Sequence, residues 1–454
     1  MVFLLVGAGL WLSLVTGFFP LRHPGTVLRC TLGSLLPGQK QSRKAEGISP
    51  FQAVATALAG TLGIGNIAGV ATAIVAGGPG AVFWMWCSAL PGMATKFSEV
   101  LLAVEYRTRD REGRWQGGPM EYLSRGLGMP WLAGVFCVFC VLASFGVGNA
   151  AQVGAVAQVM ARDFAVPPLA SGLGMALLAG LVILGGLRRI GAFAAGFVPL
   201  MALFYLGAGG LVLAKNASAI PGALALILQC AFSPEAAAGG AAGYTVRRAV
   251  HFGVARGIFT NEAGLGSAPI AHAGADARGP VEQGCWGILE VFADTILMCG
   301  FTAVIILSEG ELWRSGLDGA ALTSAVFARA LGPLGGWVVS VSTLLFAFST
   351  VLGWGYYGER GIGWLTGENP RAIQLYRICY LLVMVLAAPA RLGLVWSLSD
   401  LLNGAMMVPN LIGVAALWPV VGRRVKEFRK TEKKRPGRRV SFRGRSRSAK
   451  KLRE

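Results

Sequence analysis

Thr61-Leu62-Gly63-Ile64-Gly65-Asn66-Ile67-Ala68-Gly69 lies inside an apolar run, residues 51–76, that is long enough to cross a bilayer. Gly63 and Gly65 weaken a helix where a plain membrane anchor carries leucine or valine, and a polar Asn66 follows at once. Irregular backbone at membrane depth survives only where it is buried in protein or lines a cavity. A glycine-interrupted span with a polar residue at the interruption is therefore a candidate binding site.

The rest of the chain has the composition such a site needs around it. Of its 454 residues, 54% are hydrophobic and only 14% charged, against about 25% in ordinary soluble domains. At roughly 20 residues per span the chain has room for about ten to twelve membrane helices. Apolar runs suggest eleven, the first over residues 2–19. The net charge of +19 is concentrated at one end: after Gly422 there are 16 Lys/Arg and 3 Asp/Glu, leaving 25 basic and 19 acidic residues in the body. The basic pI thus belongs to a tail and not to a nucleic-acid-binding fold. The eight cysteines fall mostly in apolar spans, and Cys137 and Cys140 match C-x-x-C mid-helix without a second pair. No nucleophile motif appears and the three histidines are scattered, so the chain reads as no enzyme, with no organic cofactor. Gly63-x-Gly65-x-x-Ala68 follows no strand, which removes the dinucleotide reading.

A second interruption is expected at residues 233–240, a Gly/Ala-rich stretch containing Ser233, Pro234, Phe232's neighbour, and Ala236. With an extra N-terminal helix set aside (residues 1–35) and a cytoplasmic linker (36–50), the core at 51–421 divides into two groups of five helices. Each group then starts with a broken helix, the mark of an inverted-repeat secondary transporter. A basic tail, 422–454, low in apolar residues, is expected to be disordered and to meet anionic lipid. Arginine-rich loops at 22–44, 107–125, 188–189, 247–278 and 360–377 share one side in this count. The positive-inside rule makes that side and the C-terminus cytoplasmic, and the N-terminus external.

Several long blocks resemble one family. Gly77-Gly78-Pro79-Gly80-Ala81-Val82-Phe83-Trp84-Met85-Trp86, Gly117-Gly118-Pro119-Met120, Thr260-Asn261-Glu262-Ala263-Gly264-Leu265-Gly266-Ser267-Ala268-Pro269 and Phe346-Ala347-Phe348-Ser349-Thr350-Val351-Leu352-Gly353-Trp354 are similar to the alanine or glycine:cation symporters. The resemblance implies an all-α, leucine-transporter-type fold in the cell membrane. It also implies sodium-coupled uptake of small neutral amino acids, alanine and glycine, by alternating access. Departures fall at Cys87, Pro91, Gly154 and Ala241, and bear on pocket size and on which small amino acid is carried.

What the resemblance implies for the site can be set beside the residues. The N–H groups of Ile64 and Gly65 can take a substrate carboxylate, and the freed carbonyls of Ala59 and Leu62 can take Na⁺. Ser349 and Thr350 match the hydroxyl ligands of the sodium site, although hydroxyls in membrane helices also bond back to their own carbonyls. Residues 191–214 hold no Lys or Arg to replace that ion. Thr61 and Asn66 either cap the half-helices or contribute oxygens to ion or substrate. Gln152, Phe232, Ala236 and Trp354 are the pocket candidates, the aromatics walling a cavity with little room beyond a methyl. Among intramembrane charges, Lys96 and Glu99 are spaced i, i+3 and expected to neutralise each other, or Glu99 to hold the broken helices. Glu290 and Asp294 are spaced i, i+4 and expected to face a cytoplasmic vestibule, the loop at 256–283 or a proton-bearing partner, and Asp400 to pack inside the bundle.

Overall fold

The computed structural model describes residues 2–35, 47–110, 113–232, 246–390 and 392–433. Apart from a two-residue hairpin, Thr108–Arg109 with Trp115–Gln116, every regular element among them is helical. Short helical turns at Phe19–Arg22, Pro24–Cys30 and Pro119–Glu121 aside, the helices are α1 (Val2–Val15), α2 (Pro50–Thr61), α3 (Ala68–Gly77), α4 (Gly80–Glu105) and α5 (Pro130–Phe164). Then come α6 (Pro168–Ile183), α7 (Gly186–Lys215), α8 (Ile220–Phe232), α9 (Val246–Asn261) and α10 (Ala268–Ala273). The chain closes with α11 (Pro280–Ser308), α12 (Gly319–Leu331), α13 (Pro333–Leu365), α14 (Pro370–Ala387), α15 (Leu392–Ala416) and α16 (Trp418–Lys433). Six of these are individually long and apolar enough to cross a membrane. The protein is a multi-pass membrane protein whose exposed leucines, such as Leu203, Leu211 and Leu386, lie on lipid-length helices.

Two helices are interrupted in the middle of the bundle. The first is α2–α3. Its start is fixed by a capping box, in which Gln52 N donates to Ser49 Oγ at 3.1 Å and Ser49 N to Gln52 Oε1 at 2.9 Å, with Pro50 at the first helical position. It stops at Thr61, turns through an extended Gly63 and a short 3₁₀ turn, and resumes at Ala68.

The second interruption is α9–α10, with residues 262–267 between the half-helices. Residues 233–240, where it was expected, lie outside the described residues. Residues 256–283, which read as a polar loop, instead contain the end of one half-helix, the break and the other half-helix. α9 runs antiparallel to α3. The start of α9 lies beside Gly77, where a built Cβ would sit 3.3 Å from Arg248 O, and its end lies beside Gly65, where one would sit 3.0 Å from Thr260 Cγ2. α10 leads to the opposite end of the bundle, where Ile48 N donates to Gly274 O (3.1 Å) and Asp276 N to Ile48 O (2.7 Å). Arg247 and Arg248 consequently stand at the Gly77 end, not with the arginines of the Ala275 end.

Three further expectations are corrected. α8 begins beside Asn216, which bonds Glu309, and finishes where Trp84 Nε1 donates to Ala231 O at 3.2 Å. Both contacts are at the Gly77 end, so α8 lies along that end and does not cross. α1 has 14 residues, about 21 Å of helix against a hydrocarbon core of about 30 Å, because Gly17 and Phe18 turn left-handed before residue 19. The tail does not lose structure at 422: α16 continues to Lys433. Val421 and Val425 are buried, Arg424 Nε and Nη2 grip Glu105 at 2.9 and 2.5 Å, and Arg29 reaches Glu432 at 2.9 Å. Residues 434–454 lie outside the described residues.

Candidate functional site

In a continuing helix each N–H from residue 63 onward would bond the carbonyl four residues back. At the first break these bonds are replaced one by one. Gly63 N donates to Asn66 Oδ1 at 3.0 Å, leaving the Ala59 carbonyl without its helical donor. Ile64 N donates to Gln152 Oε1 at 3.4 Å, a long bond from a side chain on α5. Asn66 N closes a tight turn on Gly63 O at 3.2 Å and so frees Leu62 O. That carbonyl accepts from two hydroxyls of α13, Ser349 Oγ at 3.2 Å and Thr350 Oγ1 at 3.3 Å. Both hydroxyls also lie near Phe346 O, at 2.8 and 3.1 Å, the usual back-bond of such residues.

Close approach explains the glycines. A Cβ at Gly63 would lie 2.6 Å from Thr350 Oγ1 and 3.3 Å from Gln152 Oε1. One at Gly353, a turn further along α13, would lie 2.7 Å from Gly60 Cα and 3.4 Å from the Ala59 carbonyl carbon. The structure thus brings Leu62 O, Ser349 Oγ and Thr350 Oγ1 together, with the Ala59 carbonyl group close to Gly353 on the same helix, α13. Such hard oxygen donors fit Na⁺.

Asn66 has both ends of its amide engaged. Its Oδ1 closes the turn on Gly63, and its Nδ2 donates to Asp294 Oδ1 at 2.7 Å and to Cys299 Sγ at 3.3 Å. Asp294 stands in a π-bulge of α11, residues Phe292–Cys299, and its other oxygen accepts from Thr295 Oγ1 at 2.8 Å. Thr295 in turn accepts from Asn261 Nδ2 at 3.1 Å, and Asn261 Oδ1 accepts from Ala263 N at 2.9 Å. One polar chain therefore joins the two breaks through α11. Asp294 is fully buried in this chain, which links it through Thr295 to Asn261 of the 256–283 stretch and not to a vestibule.

The second break is held by Glu262, a non-glycine residue at φ 53°. That conformation costs about 1–2 kcal/mol, offset here by hydrogen bonds from Trp354 Nε1 (2.8 Å) and Ser267 Oγ (2.5 Å) to its carboxylate. Trp354 is fully buried against α5, where a built Cβ on Gly148 would sit 2.2 Å from Trp354 Cβ, in a second π-bulge at Gly146–Ala150. It stands one turn below Thr350, toward the Ala275 end. Sequence reading singled out the 260–269 block as a motif but gave Asn261 and Glu262 no role. Polar residues beside glycines look like a loop until neighbouring helices close over them.

The remaining candidates are placed as follows. Thr61 Oγ1 turns back toward Ala57 O (3.4 Å) and Leu58 O (3.5 Å), within its own helix. Phe232 is not gathered with the breaks: it is 61% exposed at the end of α8, its ring 5.0 Å from that of Phe83. Ala236 lies outside the described residues. Lys96 does not pair with Glu99. Its Nζ lies 3.3 Å from Glu290 Oε1, while Glu290 Oε2 accepts from His272 Nε2 at 3.1 Å, all side chains fully buried. The three-residue spacing puts Glu99 on the same helix face, but α11 packs directly over Lys96. Glu99 Oε1 instead accepts from Asn410 Nδ2 at 2.5 Å, and the same amide reaches Gly264 O at 2.8 Å, so Glu99 does contact the second break. Glu290 is buried in that cluster against His272, within the 256–283 stretch, one of its expected neighbours, and not at a vestibule, and Asp400 is exposed on α15, not packed inside.

A cavity of about 500 Å³ reaches the first break from the Gly77 end, lined by Ile64 and Gly65 together with α3, α5, α9 and the start of α12. At the Ala275 end a cavity of about 140 Å³ touches none of the residues of either break.

With this geometry in hand, comparison with known proteins is informative. The model of the "Sodium:alanine symporter family" matches residues 1–442. The chain is 44% identical over 441 residues to the sodium/alanine symporter AgcS of Methanococcus maripaludis, covering 95% of each chain. It is 46% identical over 431 residues to an uncharacterized transporter of Haemophilus influenzae, covering 94% of this chain and 92% of that one. A solved Na⁺-coupled sialic acid symporter in a substrate-bound, outward-open state superposes with a TM-score of 0.51 at 15% identity, over 90% of this chain and 86% of that one. This last likeness concerns the fold.

Proposed function

The chain belongs to the sodium:alanine symporter family, and from that premise we propose that it couples the inward movement of Na⁺ to uptake of a small neutral amino acid, alanine or glycine. The observation that carries this reading is the Leu62 carbonyl, freed by the break and faced by Ser349 Oγ at 3.2 Å and Thr350 Oγ1 at 3.3 Å. Na⁺ enters among Ala59 O, Leu62 O and the two hydroxyls, which turn their hydrogens away and present lone pairs. The amino-acid carboxylate takes the N–H groups of Ile64 and Gly65. To admit it, Gln152 gives up its long bond to Ile64 and turns to the substrate. Gly65 packs against Thr260, which limits the space and excludes long side chains by clash, since a merely tolerant pocket separates a methylene by only about 1–3 kcal/mol.

The architecture behind this reading is a five-plus-five inverted repeat. One half is α2–α3 with α4, α5, α6 and α7; the other is α9–α10 with α11, α13, α14 and α15. α1, α8, α12 and α16 stand outside it. Rocking of the broken helices against the rest alternates access. The cavity at the Gly77 end supports an outward-facing arrangement. The Ala275 end carries Arg107, Arg188, Arg360 and the basic residues of α16 such as Arg424, so the positive-inside rule makes it cytoplasmic, with anionic lipid as the partner of the basic tail.

Uptake of labelled alanine into proteoliposomes under an inward Na⁺ gradient tests the proposal. Competition by glycine and by larger amino acids tests its substrate class. Uptake that ignores every small amino acid overturns it.

A further inference from the structure

The cavity that reaches the first break carries three charged side chains near its walls, and they are not equivalent. Arg162 is already neutralised: its Nε and Nη2 meet Asp163 at 2.6 and 2.9 Å. Arg256, on α9, has no carboxylate within 4.0 Å among the described residues. Its guanidinium lies 5.8 Å from the Phe259 ring centroid and 6.0 Å from that of Trp396, both cavity-lining, and its charge also acts on the exposed Asp400 of α15. Asp318, at the start of α12, spends one oxygen on Gly319 N at 2.5 Å and forms no ion pair among the described residues. Among those residues the cavity therefore offers a cation and an acid, neither in a close ion pair, and apolar rings between the end of the bundle and Ile64–Gly65.

We propose that Arg256 and Asp318 form an outer docking station for a zwitterionic amino acid, occupied before the substrate reaches the first break. Arg256 receives the α-carboxylate, with the planar, always-charged guanidinium suited to a two-oxygen contact, and Asp318 receives the α-ammonium. Phe259 and Trp396 hold the guanidinium in place by cation–π contact, so little order is lost on docking. The volume, about 500 Å³, exceeds what alanine needs, and the station selects for the zwitterion and not for the side chain. It raises the local substrate concentration above the break without contributing to the sodium site. The inference rests on the amino-acid symport reading above, and the test separates the two.

The purified full-length protein in proteoliposomes is compared with Arg256→Gln, Arg256→Lys and Asp318→Asn. Alanine and alaninamide, which lacks the carboxylate, serve as competitors at wild type and Arg256→Gln. The station predicts that Arg256→Gln raises the KM for alanine about tenfold with maximal uptake unchanged, the loss of one charge-assisted contact. Arg256→Lys recovers part of it, and Asp318→Asn raises KM by a few fold. Alaninamide competes about equally with both proteins, because only the carboxylate contact has been removed. An unchanged KM in Arg256→Gln overturns the station, as does a fall in maximal uptake that Arg256→Lys does not restore. Absence of alanine uptake by the wild type overturns the symport reading itself, and is recognised before any variant is compared.

Discussion

Asn66 Nδ2 lies 2.7 Å from Asp294 Oδ1, and this bond between residues 228 positions apart ties the first break to the middle of α11. Asn66 Oδ1 simultaneously holds Gly63 N, so the shape of the break depends on the same amide that binds the acid. Replacing Asn66 by Ala leaves a buried carboxylate without its strongest donor. Such a loss costs about 1.5–3 kcal/mol. A lowered melting temperature in detergent and uptake reduced at least about tenfold are expected. In a double-mutant cycle with Asp294→Asn the two effects are non-additive, because they report one contact. Additive losses would separate the pair.

Gly63→Ala places a methyl 2.6 Å from Thr350 Oγ1. The clash falls on the hydroxyl and not on a flexible chain end, so the expected outcome is loss of transport with retained expression and only modest destabilisation, about 1–3 kcal/mol for overpacking. Transport at wild-type rate would show that the break and α13 separate more freely than this structure has them.

Lys96 and Glu290 form a buried pair at 3.3 Å, with His272 on the other carboxylate oxygen. Removing one partner of a buried pair costs about 3–5 kcal/mol, whereas removing both is far milder. Lys96→Met is therefore expected to lower the melting temperature sharply, and Lys96→Met combined with Glu290→Gln to recover much of the loss. Equal stability of the single and double variants would contradict the pairing.

How much of this was legible in the sequence depended on distance along the chain. The first break could be read directly, since Gly63, Gly65 and Asn66 interrupt an apolar run within four residues. The break at residues 262–267 could not be read in this way. Asn261, Glu262 and Ser267 make residues 261–267 look like a solvated loop, whereas the bundle buries them and satisfies them through Thr295, Trp354 and one another. A polar segment inside a membrane protein and a polar loop have the same composition, and only the partners distinguish them. Lys96 shows the same limit: local spacing pointed to Glu99, but the acid that reaches it is 194 residues away. The hydroxyls of Ser349 and Thr350 were readable only through a family resemblance, because back-bonding serines and threonines are common in membrane helices.

We propose that Leu62 O, Ser349 and Thr350 receive the sodium ion that drives uptake. The Na⁺ activation curve of alanine uptake in proteoliposomes, measured for the wild type and Thr350→Ala, tests this. Uptake is expected to collapse when Na⁺ is replaced by K⁺. The half-activating Na⁺ concentration is expected to rise about tenfold in Thr350→Ala, with the alanine KM at saturating Na⁺ little changed, as the loss of one of a few oxygen ligands implies. Wild-type uptake indifferent to K⁺ replacement, or an unchanged Na⁺ curve in Thr350→Ala, would contradict it.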